Sequence, residues 1–154
     1  MAKTSLYRHY RSKDDLVVAV LERHELLWTQ GLLEAESKRR ASTPEDRVVA
    51  LLEVFDEWLR DDGFAGCLFI NSALENHDRS PAIRAAAVAA LERVHELLRK
   101  VIDEAGMSEP RSLAHQIQIL FRGSIVAARE GNFTAVDEAR ALALNLLEQG
   151  KARA

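Results

Sequence analysis

The sequence predicts an all-α fold, and three observations support that prediction. Apolar residues recur at three- and four-residue spacing in six segments after residue 12. Ser and Thr residues that suit helix N-caps, and glycines that suit helix ends, bound these segments. No stretch shows a convincing alternation of apolar and polar residues, which would be typical of a strand. With 154 residues, 47% of them apolar, the chain has the size of one domain and can bury a core without disulfides or metals.

The first two helices are predicted from their N-terminal residues. Ser12 can cap the first helix, with Asp15 as its third residue, and the apolar pattern continues to the polar stretch SKRRAS. Thr43 can cap the second helix, which has Pro44 at its first position and extends towards Gly63. The apolar segment GCLFINSALEN that follows suits either a strand or a short buried helix, and its helical context favours the helix.

Three longer helices complete the predicted fold. The first opens at Ser80 and stops at Gly106, the second spans residues 109–130, and the third spans 134–149 and ends at Gly150. Residues 117–128, IQILFRGSIVAA, are apolar around most of the helix circumference. This suits a helix buried at the centre of a monomer, or one that packs a partner on its second side. We predict a helix-pair dimer interface formed by Ile117, Phe121, Ser124, Ile125, Ala128, Leu142 and Leu146.

Composition indicates the compartment and excludes some classes of protein. The single cysteine, Cys67, cannot form an intramolecular disulfide, and no leader segment precedes the predicted helices. No apolar run approaches the roughly 20 residues of a membrane-spanning helix. We therefore expect a soluble, cytoplasmic protein without a membrane partner.

The opening segment KTSLYRHYRSKDDL differs in charge from the rest of the chain. Residues 1–13 contain two Lys, two Arg and no acidic residue, although the net charge of the whole chain is −3. Such asymmetry indicates either a local contact with a polyanion or an ordinary solvated tail.

Within this segment, Ser5, Leu6, Tyr7, His9, Tyr10, Lys13 and Leu16 stand in the register of a known motif. The segment resembles the second half of the DNA-binding domain in the TetR family of bacterial transcription regulators, and GCLFINSALE is similar to the start of that family's sixth helix. The resemblance implies a TetR-like helical bundle. Residues 1–14 would be the remnant of an N-terminal helix-turn-helix domain, and residues 15–154 a C-terminal ligand-binding and dimerisation domain. Because the family has two helices before this motif, we expect a misassigned start codon or a deliberate truncation.

The resemblance also implies a function: a ligand-responsive regulator, by family default a repressor, that binds a double-stranded DNA operator as a homodimer. Hydrogen-bond donors and an aromatic edge at the start of a short helix suit the major groove, and the residues after them suit phosphates. The predicted DNA contacts are Lys3, Thr4, Ser5, Tyr7, His9, Tyr10 and Lys13.

A pocket for an unknown small-molecule effector is the second implied site. Large apolar side chains suit its walls and a few polar ones suit its specificity, although an aromatic stripe at helical spacing is more often ordinary core packing. The predicted lining residues are Trp28, Phe55, Trp58, Cys67, Phe69, Asn71, His95, Gln118 and Phe121. No cofactor and no metal are predicted.

Two alternatives stay open at this point. One is a dimeric ligand-binding module that does not bind DNA. The other is a metal-dependent enzyme, because Glu92 and His95 have the Glu-x-x-His spacing of di-iron helical bundles. Those bundles need two such pairs and this sequence has one, so we predict that the protein is not an enzyme.

Overall fold

The computed structural model describes residues 9–152, which form six helical rods and contain no strand. The all-α prediction and all six predicted helices are confirmed. Within this range, no helix combines the length and the apolar character needed to cross a membrane. The first rod comprises α1 (Lys13–Glu25), a π-helical segment (Leu26–Glu34) and α2 (Ala35–Arg40), and the other rods are α3 (Pro44–Leu59), α4 (Leu68–Glu75), α5 (Pro81–Glu104), α6 (Pro110–Arg129) and α7 (Phe133–Ala152).

The π-helical segment was not predicted, and the pattern of buried residues accounts for it. In this segment the turns are wide, and at its end the Ala35 N–H donates to the Gln30 carbonyl five residues back. A stripe that repeats every fourth residue drifts around an α-helix of 3.6 residues per turn, and wider turns reduce that drift. Three of the five buried positions are polar, so apolar periodicity could not reveal them. The buried stripe is Leu21, Glu25, Thr29, Leu33 and Ser37.

The core lies where α5 contacts α1, α4 and α6, and α7 packs along α6. Six of the residues that fill it have no exposed surface: Val48, Ala87, Val101, Ile102, Ala114 and Ile117. The predicted N-caps form as expected. Ser12 Oγ accepts from the Asp15 N–H at 3.1 Å, and Thr43 and Asp46 form a complete capping box. These caps satisfy amide groups that the first helical turn leaves without an intrahelical partner.

Gly150 has a different role from the predicted one. The sequence predicted that it ends the last helix, but α7 continues to Ala152. A Cβ atom at this position would lie 2.6 Å from Leu113 Cδ1 on α6. Glycine therefore allows the two helices to approach closely, and its carbonyl accepts hydrogen bonds from the Ser108 N–H and hydroxyl.

A buried arginine joins three elements of the bundle. The Arg47 side chain on α3 is 10% exposed, and its Nη1 lies 2.9 Å from Glu104 Oε2 on α5. Its Nη2 lies 3.7 Å from Glu34 Oε1 at the end of the π-helical segment. Lys38 also donates a hydrogen bond to Glu34, and this is the main reason why the pKa of Glu34 lies below its ordinary value of 4.5. Because that pKa is lowered on folding, Glu34 stabilises the fold above its unfolded pKa, and the stabilisation is lost as the pH falls.

The start of α1 is attached to the start of α5 by one short contact. The Ser80 hydroxyl donates to Asp14 Oδ2 at 2.6 Å and accepts from the Ile83 N–H at 3.4 Å. Ser80 is 5% exposed, so this contact is largely shielded from water. It connects the helix that follows the predicted DNA-binding segment with the long central helix.

Candidate ligand-binding groove

Four of the five predicted pocket aromatics pack together with Phe64, which was not predicted, and we call this set the aromatic cluster: Trp28, Phe55, Trp58, Phe64 and Phe121. The fifth, Phe69, lies against His24 instead. Ring centroids lie 4.4 Å apart for Trp28 and Trp58, and 3.8 Å apart for the stacked rings of Phe55 and Phe121. The cavity beside Phe55 and Phe121 has a volume of about 20 Å³. That volume holds about one water molecule. The aromatic cluster is therefore close-packed core in this conformation, and an effector would have to open it.

A much larger space lies on the outside of the bundle, between α4, α5 and α6. This groove has a volume of about 550 Å³, within the range of small-molecule sites. Its α4 wall is apolar, and the seam between α5 and α6 carries most of its polar groups. The residues that line the groove are Ile70, Ala73, Leu74, Val88, Leu91, Glu92, His95, His115, Gln118 and Arg122.

The groove contains two stacked histidines, His95 on α5 and His115 on α6, which we call the histidine pair. Their ring centroids lie 4.0 Å apart and their planes differ by 18°. The Nδ1 atom of His95 is buried and has no hydrogen-bond partner among the described residues. Desolvation is the main cause that lowers the pKa of His95, and the neighbouring His115 lowers it further. His95 is therefore held in its neutral form at neutral pH.

A second contact fixes the register of α5 and α6 along the groove. The Gln118 Nε2 donates to the Leu91 carbonyl at 2.9 Å. Together with the histidine pair, this contact defines an antiparallel seam that places Arg122 level with Val88. The groove consequently has a histidine end and an arginine end. Val88 and His95 are seven positions apart on α5, which separates the two ends by about 10 Å along the helix axis.

Comparison with known proteins identifies the family. Residues 44–143 match the family model described as Tetracyclin repressor-like, C-terminal domain, which accounts for more than half of the chain. The chain belongs to the TetR family of transcription regulators. Among curated TetR-family relatives, the HTH-type transcriptional repressor NemR of Escherichia coli K12 is 25% identical over 154 residues, which cover 94% of this chain and 77% of NemR.

Solved structures of TetR-family regulators share the fold. The crystal structure of reduced E. coli NemR matches with a TM-score of 0.79 and 27% identity, covering 95% of this chain and 80% of that one. The TetR-family regulator SCO4454 of Streptomyces coelicolor matches with a TM-score of 0.86 and 19% identity, covering 97% of this chain and 79% of that one. The predicted resemblance to the TetR family, and with it the fold class, is confirmed.

The nine predicted pocket residues do not form one pocket in this conformation. Only His95 and Gln118 line the groove, and Phe55 and Phe121 line the small internal cavity. Trp28 and Trp58 are part of the aromatic cluster. Cys67 and Phe69 are buried, whereas Asn71 is exposed and lies beside Gly66. The helices of this bundle each present apolar residues to more than one neighbour, so membership of an apolar stripe does not by itself decide which residues line a common cavity.

Most of the predicted DNA contacts lie outside the described residues, namely Lys3, Thr4, Ser5 and Tyr7. His9 and Lys13 are exposed, Tyr10 is partly buried, and Lys13 is the first residue of α1. Lys13 directly precedes Asp14, which accepts the hydrogen bond from Ser80. The prediction that they bind DNA stays a prediction.

The predicted dimer residues are mostly buried inside the single chain. Ile117, Phe121, Ser124, Ile125 and Ala128 are at most 9% exposed, Leu146 is partly buried, and Leu142 is 53% exposed. The first five pack within the bundle, because α5 and α7 cover that side of α6. Sequence reasoning missed two exposed apolar residues on the opposite side of α6, Ile119 at 67% and Val126 at 56%. Their seven-residue spacing, which places them on one helix face, was the available signal.

Proposed function

We propose that this TetR-family regulator is a cytoplasmic, ligand-responsive repressor that binds operator DNA as a homodimer. The observation that carries the proposal is the position of α5. This helix lines the groove with Val88 and His95, and at its N-terminus Ser80 bonds Asp14. Asp14 directly follows Lys13, a predicted DNA contact. A ligand that displaces α5 would therefore also displace the start of α1, the helix that follows the predicted DNA-binding segment.

The exposed apolar residues of α6 and α7 support a dimer. Ile119, Val126 and Leu142 are each more than half exposed, and they lie on two helices that pack side by side. Apolar side chains that lie together on one surface mark interaction sites, and the seven-residue spacing places Ile119 and Val126 on one face of α6. A two-fold pairing of α6 and α7 with the same helices of a second copy would cover all three residues in both chains.

Sedimentation equilibrium tests the dimer with two matched valine variants. Val126→Glu places a charge in the proposed interface and is expected to raise the dimer dissociation constant by at least tenfold. Val20→Glu serves as its control, because Val20 is 50% exposed but lies on α1. Equal dimerisation of the two variants would contradict the proposed interface.

Gel-shift titration tests DNA binding. The duplex is the DNA upstream of the gene, and the titration uses this chain and a version extended by the codons upstream in frame. Lys13→Gln is expected to weaken binding and to reduce the slope of log affinity against log salt by about one, as for one lost phosphate contact. Lys151→Gln, an exposed lysine at the far end of α7, serves as the control. If neither protein binds DNA at low salt, the chain is a ligand-binding module rather than a DNA-binding repressor.

A further inference from the structure

We propose that the groove binds an amphipathic carboxylate, an elongated molecule with its acid group at the histidine pair and its apolar body along Val88 and Leu91. The inference deepens the proposed function, since it names the chemical class of ligand for a site treated there as the effector site. Three features of the groove support it: the charge around the histidine pair, the geometry of the two rings, and the apolar wall beside them.

The charges around His95 favour an anion. Arg99, Arg111 and His115 each act as a positive charge that lowers the pKa of His95, and Glu96 alone opposes them. Glu96 is in turn occupied by Arg99 at 2.6 Å. Arg111 and Arg122 form no ion pair among residues 9–152. The charged and titratable groups around the pair are Glu92, Glu96 and Arg99 on α5 and Arg111 and Arg122 on α6, and α4 contributes none to the groove lining.

The geometry of the histidine pair suits a carboxylate better than a metal ion. Imidazole lone pairs lie in the ring plane, so two rings stacked at 4.0 Å do not aim their nitrogens at one point. Among residues 9–152, no group of three His, Cys, Asp or Glu side chains is placed to hold a metal. Protonation of both rings would place two cations face to face, which is unfavourable unless an anion lies beside them. A carboxylate supplies that charge, and it also accepts hydrogen bonds from protonated imidazoles.

The wall beside the pair suits an apolar chain. Leu74 of α4 is 71% exposed and Val88 is 37% exposed, and both line the groove with Ile70 and Ala73. A ligand that covers these side chains removes their apolar surface from water, which favours binding. The distance of about 10 Å along α5 between His95 and Val88 gives room for an alkyl chain of several methylene groups against Leu91 and Val88.

Decanoate is the probe for the experiment, and decanol and decylamine are its matched neutral and cationic analogues. Isothermal titration at pH 6.5 is expected to give decanoate an affinity at least tenfold above that of either analogue. His115→Gln, which alters an exposed side chain, should lower the decanoate affinity about tenfold and leave the decanol affinity unchanged. Arg84→Gln, an exposed arginine elsewhere on α5, should change neither affinity.

Proton uptake on binding distinguishes a histidine that contacts the ligand from a histidine with a purely structural role. An anion beside His95 raises its pKa, so binding takes up a proton and the affinity should rise as the pH falls from 8 to 6. Carboxylates titrate near pH 4, so decanoate stays ionised across this window. Titrations in two buffers of different ionisation enthalpy should report this uptake in the wild type and a smaller uptake in His115→Gln.

Three results would overturn the proposal. Decanol or decylamine could bind as tightly as decanoate, or the decanoate affinity could be independent of pH and of His115. Alternatively, Leu74→Asp or His115→Gln could dissociate the dimer; since His115 shares one face of α6 with Ile119, that result would make the groove a contact with a second copy. The effector role fails separately: if decanoate binds at the histidine pair but operator affinity in the gel shift is unchanged, the ligand class stands and regulation through this groove does not.

Discussion

The contact between Ser80 and Asp14 can be tested by a double-mutant cycle. Ser80→Ala removes an N-cap, which costs about 1 kcal/mol of unfolding free energy. It also removes a hydrogen bond to a carboxylate, which is typically worth about 1.5–3 kcal/mol. Because Asp14 is partly exposed, we take about 1 kcal/mol for that bond. The expected destabilisation is therefore about 2 kcal/mol, or a fall in Tm of about 4–8 °C for a chain of this size.

The assay is urea unfolding followed by circular dichroism at 222 nm, at one fixed protein concentration, since a dimer makes stability concentration-dependent. The variants are Ser80→Ala, Asp14→Ala and the double substitution. Their interaction energy should be about 1 kcal/mol, because each single variant already removes the shared bond. Ser42→Ala, an exposed serine in a loop, should stay within about 0.5 kcal/mol of the wild type. Strictly additive effects of Ser80→Ala and Asp14→Ala would show that the contact does not join the two helices.

Three further predictions concern buried positions. Gly150→Ala should lower the unfolding free energy by about 1–3 kcal/mol, because the new methyl group would lie 2.6 Å from a methyl group of Leu113 on α6. Gln149→Ala, on the exposed side of the same helix, should have little effect. Urea titration measures both variants. Arg47→Ala should cost about 3 kcal/mol, because it removes a buried side chain together with its ion pairs to Glu34 and Glu104. Arg39→Ala, whose ion pair is exposed, should have little effect, and equal costs in urea titration would refute the role of burial. Cys67 is 8% exposed, and desolvation raises its pKa. It should therefore react with a thiol-specific dye at pH 7.5 at least tenfold more slowly in native protein than in 6 M urea. Equal rates would contradict its burial.

Local signals in the sequence determined the helices of this protein. A cap such as Ser12 or Thr43 acts within one turn, and an apolar stripe is set by neighbours three and four residues away. The family motif was likewise readable, because its residues lie within one short segment. Buried polar residues were not readable in the same way. Glu25 and Thr29 face inward because of the wide turns between α1 and α2, and nothing in their chemistry predicts burial.

The tertiary structure alone decided the sites. Residues 117–128 are apolar around most of the helix circumference, and only the packing of α5 and α7 determines that Ile117 is buried while Ile119 is exposed. In the same way, His95 meets His115 because two separate helices pack antiparallel in one particular register. Helical periodicity fixes which residues share a face of one helix, but the register between helices depends on the summed packing of the whole core. The sequence therefore determined the six helices and the family, whereas the groove and the exposed apolar surface follow from how those helices pack.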